Sequence, residues 1–171
     1  MNGDAMKMTY SEAEADILDR GAFERHDVAG LLVTSDGRYL MQLRDDNPAL
    51  RVPGHWGLFG GGVEPGESAW EAIRRELDEE LRFRDPEPRW FTENAFVLPQ
   101  FGVASTLKTF FEVPVTESQI GYFVLGEGQD MALFTLAELM LLTKVVPWDL
   151  TGILLHARRR ETFRYPEGPT S

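Results

Sequence analysis

The stretch spanning residues 60–83 constrains this chain more than any other: it reads as a glycine-rich loop running straight into a helix. Four glycines and one proline fall within the seven residues 60–66. Glycine permits positive φ and a close approach of backbone to a ligand or another chain segment. Ser68 then stands as N-cap with Glu71 three residues on, the pattern of a capping box. Residues 69–81 are rich in helix formers and free of Gly and Pro, so the spacing predicts a helix there. At 100° per residue, Trp70, Ile73, Leu77 and Leu81, with Ala72 in the same arc, form its apolar side.

Glu76, Glu79 and Glu80 follow an i, i+3, i+4 spacing, which gathers them beside that apolar side. Like charges so placed repel by a few tenths of a kcal/mol when exposed and by more when partly buried. A divalent cation relieves the conflict, and hard oxygen donors of this kind suit Mg²⁺ or Mn²⁺. The plainer alternative is a solvated acidic face paired with Arg74 and Arg75.

The segment resembles the Nudix box of the Nudix hydrolase family, Gly-x5-Glu-x7-Arg-Glu-U-x-Glu-Glu-x-Gly-U, with U a bulky aliphatic. Gly61, Glu67, Arg75, Glu76, Leu77, Glu79 and Glu80 fall on the pattern, seven of its nine fixed positions. Arg82 stands where the family has its last glycine, and Phe83 where an aliphatic is usual. The family glycine looks like a helix-terminating residue in the left-handed conformation, so an arginine there either costs about 1 kcal/mol or ends the helix differently.

The resemblance implies an α+β fold of the Nudix type, an α/β/α sandwich around a mixed sheet. It implies that Glu79 and Glu80 bind metal, and that Glu76 binds metal or serves as general base. Gly60 matches a glycine whose carbonyl coordinates metal, with a plain turn glycine as the alternative. Arg75 looks like the arginine that orients a neighbouring carboxylate, and Glu67 like its support. A further ligand often comes from a distant loop in this family, which makes Glu127, in Gly126-Glu127-Gly128-Gln129, a candidate. The implied activity is Mg²⁺-dependent pyrophosphohydrolysis of a nucleoside diphosphate linked to another group X. The alternatives are a Nudix-fold nucleotide sensor without turnover, encouraged by Arg82, and an isomerase relative. A thiol-assisted version of the latter is excluded because the chain has no cysteine. Dimers are common in the family, so a homodimer is among the expectations.

Charge and composition bound the rest. A net charge of -11 disfavours nucleic acid polymers and acidic membrane surfaces as partners. The same charge repels a phosphorylated small molecule unless cations screen it, so the metal and the phosphate readings support one another. No apolar run reaches the length of a membrane span, and no leader pattern opens the chain, which sets a cytoplasmic location as the expectation.

Residues 26–162 are expected to form the domain, flanked by an N-terminal extension, 1–25, with a short helix at 11–18, and a flexible C-terminal tail, 163–171. Residues 28–34 and 38–44 read as a hairpin about Asp36-Gly37. Strands are expected near 56–59, 89–98, 105–113, 121–125 and 131–134. Helices are expected at 135–142, capped by Thr135 with Glu138, and at 147–160. Arg44 and Arg51 are candidates for meeting phosphate, against structural pairing with Asp45 or Asp46. Trp56 and Phe59 are candidates for stacking on a base, against core packing.

Overall fold

The computed structural model describes residues 20–162, so the expected helix at 11–18 and the tail beyond 162 lie outside the described residues. The elements run β1 (Arg25–Val33), β2 (Tyr39–Leu43), β3 (Trp56–Gly57), α1 (Ala69–Leu81), β4 (Arg89–Leu98), β5 (Val103–Pro114), α2 (Glu117–Ile120), β6 (Asp130–Phe134), α3 (Leu136–Leu139) and α4 (Pro147–Thr162).

A six-stranded mixed sheet, in the order β3-β2-β1-β5-β4 with β6 also paired to β2, separates two layers of helix. β1 and β5 run parallel over the whole length of β1, while the hairpin and the β4–β5 pair are antiparallel. The two-residue alternation of a strand divides the core. Val28, Leu32, Leu40, Phe111 and Val113 face α1 and meet Ala72, Ile73, Leu77 and Leu81. Ala29, Leu31, Tyr39, Met41 and Phe110 face the other way and meet Leu139 and Ile153. Each fully enclosed Leu or Ile contributes roughly 1.5–3 kcal/mol by leaving water. Trp70 departs from the expected apolar side: it is 45% exposed, its ring edge-on to Phe111 at the rim of the core.

Helix α1 begins as expected. The Ser68 hydroxyl accepts the Glu71 N–H while the Glu71 carboxylate accepts the Ser68 N–H. It ends on Arg82, which adopts the left-handed conformation (φ 56°, ψ 29°). The Arg82 N–H reaches the Asp78 carbonyl and the Phe83 N–H reaches Leu77, so the helix end is satisfied despite the missing glycine.

Residues 121–125 are not a strand. Thr116 caps the short helix α2 through a second box with Gln119, and the chain then hydrogen-bonds to the helix ends, Val124 N–H to Leu81 among them. The apolar alternation is real, because Phe123 and Leu125 pack on the α1 side of the core while Tyr122 and Val124 are exposed. Its neighbour is a helix terminus rather than a strand edge. The helix expected at 135–142 stops at Leu139, capped as expected by Thr135 and Glu138.

Candidate functional site

The glycine loop is stitched to β1 rather than free. Val28 and Gly30 donate to the carbonyls of Gly61 and Phe59, and Val63 donates to His26, so residues 59–63 lie along the strand edge. Gly60 sits at φ 133° against the Val28 carbonyl, where a side chain would be both strained and obstructed. A Cβ on Gly61 would run into the Glu76 carboxylate. Two glycines thereby bring loop backbone into contact with the acidic face of α1.

Arg75 ties that face together. Its guanidinium takes Glu67 in a two-pronged grip (Nε–Oε1 2.9 Å, Nη2–Oε2 3.0 Å). It also donates to Glu76 at 2.9 Å, to Glu79 at 3.2 Å and to the Gly62 carbonyl at 2.9 Å. The Glu67 carboxyl is held below its ordinary range by Arg75.

Glu80 differs from its neighbours. It is 5% exposed, and its oxygens accept from the Gly60 N–H at 2.7 Å and the Gln42 amide at 3.3 Å. Burial foremost, with Glu76 and Glu127 adding like charge, pushes its carboxyl up to about 8. Burial also raises Glu76, against the pull of Arg75, with Glu79 and Glu127 adding to the rise. The loop between α2 and β6 carries Glu127 past the end of α1, where the Glu127 carbonyl and Glu80 Oε1 share the Gln42 amide. That loop is anchored where Gly126 N–H meets the Glu80 carbonyl at 2.7 Å and Gln129 N–H meets Leu43 at 2.8 Å.

Glu79 is the exposed member: its side chain is 57% exposed and shares the Arg75 Nη1 donor with Glu76. Among the described residues, no group of three or more acidic or histidine side chains is gathered closely enough to hold a metal ion as it stands. The donor set nonetheless fits a hard divalent cation. Glu80 is a buried carboxylate whose hydrogen-bond partners are neutral, set among like charges, and a cation reverses the penalty that such burial places on its ionised form.

The other candidates are dispersed. Arg44 hydrogen-bonds through its backbone to His55 and Gln129, and its Nε is buried with no hydrogen-bond partner among the described residues. Arg51 is exposed on the loop before β3. Phe59 is 0% exposed inside the α1-side core, which corrects its candidacy for base stacking: neither face of the ring is open. Trp56 packs edge-on against Phe134 at 4.8 Å between ring centres, on the α4 side. Gln42 escaped the sequence reading. The signal was present, since in Tyr-Leu-Met-Gln-Leu the two-residue alternation puts Gln42 on the same inward face as Leu40.

A family model described as NUDIX domain matches residues 24–154. Nucleoside triphosphatase NudI of Salmonella arizonae is 54% identical over 50 residues, covering 29% of this chain and 35% of that protein. NudI of Salmonella newport matches to the same extent, so the similarity spans about a third of the length of these curated relatives. Among solved structures, the MutT protein of Methanosarcina mazei superposes with a TM-score of 0.64 at 22% identity, covering 82% of this chain and 96% of that one. The NUDIX domain of Shewanella oneidensis NrtR, complexed with ADP ribose, gives 0.62 at 20% identity over 88% and 99%. These structures speak for the fold. With the family model matching from the start of β1 into α4, and the glycine loop, Arg75 and the acidic face of α1 disposed as described, the chain belongs to the NUDIX family.

Proposed function

We propose that this chain is a Mg²⁺-dependent pyrophosphohydrolase that cleaves the diphosphate of a nucleoside diphosphate linked to another group X. The observation that carries the reading is Glu80, buried under the Gly60 N–H and without a cationic partner among the described residues, with the loop of Glu127 hydrogen-bonded to its backbone and Glu76 against Gly61. The named activity of the NudI relatives, nucleoside triphosphatase, is of the same phosphoanhydride chemistry.

Glu80, Glu127, the Gly60 carbonyl and, after turning from Arg75, Glu79 would hold the ion, with Glu76 either a further ligand or, as followed here, the general base. When bound, Mg²⁺ supplies positive charge to the diphosphate oxygens and lowers the pKa of water. The chain's own contribution is placement. Arg75 keeps Glu76 and Glu67 fixed relative to the loop, so the Glu76 carboxylate is held ready to take the proton of an attacking water. As the water oxygen bonds to phosphorus, the bridging P–O bond breaks and the leaving phosphate carries away the electron pair. Arg44, whose buried Nε at the end of β2 has no hydrogen-bond partner among the described residues, and Arg51 are the candidates for meeting phosphate.

A panel of NDP-X compounds with Mg²⁺, read by product identification, tests the reading. Glu79→Gln should lower turnover at least tenfold while leaving stability within about 0.5 kcal/mol, because the side chain is exposed. The outward Glu79 is what favours a second reading, a nucleotide sensor without turnover. Calorimetric nucleotide binding with no hydrolysis of any panel member in Mg²⁺ or Mn²⁺ would establish that one instead.

A further inference from the structure

Among the described residues the Gln42 amide nitrogen meets two acceptors: Nε2 lies 2.9 Å from the Glu127 carbonyl and 3.3 Å from Glu80 Oε1. That fixes its orientation, since the flipped amide would set an oxygen against two oxygens. The side chain is 5% exposed and comes from the middle of β2, where backbone pairing to β3 and β6 leaves it little freedom. Gly128 closes over it at φ 83°, so near that a Cβ there would come within 2.9 Å of Gln42 Cγ. The loop carrying Glu127 is thus joined to α1 at Gly126, to β2 at Gln129, and to both at once through Gln42 between them.

We infer that Gln42 is a positioning residue for cation binding: it holds the Glu127 loop and the Glu80 carboxylate in one frame, so that oxygens from two separate chain segments are presented to the same ion. The inference rests on the proposed metal-dependent function. It concerns a group that touches neither ion nor substrate, and its effect is exerted before any ion arrives. Partners that orient metal ligands are generally worth 10–100-fold in affinity. Without the amide, Glu127 keeps only its end anchors, and the ordering of the loop falls to the binding step, which weakens binding.

The test is Gln42→Met in the full chain, which keeps volume and removes the donor. Mg²⁺ alone, and Mn²⁺ alone, are titrated into wild type and variant by calorimetry. The expected result is affinity at least tenfold weaker in the variant, with activity on the best panel substrate restored toward wild type as Mg²⁺ is raised to saturation. A metal-free arm in EDTA follows the Gly126 and Gln129 amides by hydrogen exchange, with exchange at least tenfold faster in the variant. If Gln42→Met fails to fold, Gln42→Asn draws the amide back by one methylene and carries the same expectations. Affinities within twofold of each other, an activity loss that saturating Mg²⁺ does not recover, or unchanged exchange at both amides would each overturn the inference. A wild type that binds neither ion while the exchange difference is present would instead remove the metal-dependent function, and with it the consequence inferred for Gln42.

Discussion

Replacing Glu80 by Gln should make the metal-free protein more stable while abolishing its proposed activity. The substitution keeps the shape, and the new amide oxygen can still accept the Gly60 N–H. It removes a charge that the fold disfavours. In the unfolded chain the carboxyl ionises near its ordinary 4.5, whereas in the fold burial pushes it up to about 8, so folding at pH 7 requires a proton to be taken up. At about 1.4 kcal/mol per pH unit, between 4.5 and 7 that uptake costs about 3 kcal/mol, an expense the Gln variant never meets. Losing the long Gln42 contact returns roughly 0.5–1 kcal/mol, leaving a net gain of about 2 kcal/mol. For a chain of this size that is a rise of roughly 4–8 °C in Tm. The sign is checked by pH. The folded pKa is raised, so the wild type's stability is intact below 4.5, falls as pH rises toward 8, and levels off above it. The gap between variant and wild type should open over that window. Urea denaturation in EDTA from pH 4.5 to 9 measures it. Mg²⁺ should then narrow the gap, because binding to the native state stabilises the wild type by mass action. A variant no more stable than wild type in EDTA at pH 8 would refute the reasoning.

Three further outcomes are expected. Arg82→Gly should relieve the left-handed strain at the end of α1 and raise stability by up to about 1 kcal/mol, seen as a higher Tm. Lys108→Met should be costly, roughly 3–5 kcal/mol, because Lys108 Nζ meets Asp149 at 2.6 Å in a buried pair and the variant strands that carboxylate; adding Asp149→Asn should recover much of the loss in a double-mutant cycle. Glu112 is held below its ordinary carboxylate value by the hydrogen bond from His156, with Arg159 and Arg89 assisting, against the opposing effect of burial. Its folded pKa is lowered, so its contribution is full at neutral pH and disappears as acid carries the pH below that lowered value. Glu112→Gln should therefore lose about 1–2 kcal/mol near pH 7, a deficit that vanishes in acid melts.

Local chemistry is what the sequence exposed most faithfully. The box of Ser68 and Glu71 marks the first turn of α1, and Thr135 with Glu138 does the same for α3, because a cap is decided within four residues. The hairpin about Asp36-Gly37 is equally local, with Gly37 at φ 86°. The strand expected at 121–125 was misread for a tertiary reason. Alternating burial of Phe123 and Leu125 looks the same whether the neighbour is a strand or the end of α1. The sign of a helix before it is again local, because Thr116 and Gln119 form the box that starts α2. Phe59 took the core alternative, whereas Trp70 left the apolar side expected for it, because helical periodicity ranks faces by direction and does not tell how far the core extends along them.

The site divides along the same line. Glu76, Glu79, Glu80 and Arg75 lie on two turns of one helix, so their mutual reach follows from helical geometry alone. Which carboxylate is buried does not: Glu79 and Glu80 are adjacent in sequence and differ because one projects beside Arg75 and the other under the Gly60 amide. Bringing Glu127 to them takes a parallel β1–β5 crossover, the α2 turn and a pairing of β6 onto β2, none of which is written near residue 127. A buried Gln on an apolar strand is the local trace of that long-range closure. A lone amide in such a place is tolerated when its donors are used, and here both acceptors belong to the acidic site. The polar interruption of β2 and the glycine loop of α1 are therefore two ends of one arrangement, the first holding from the sheet what the second holds from the helix.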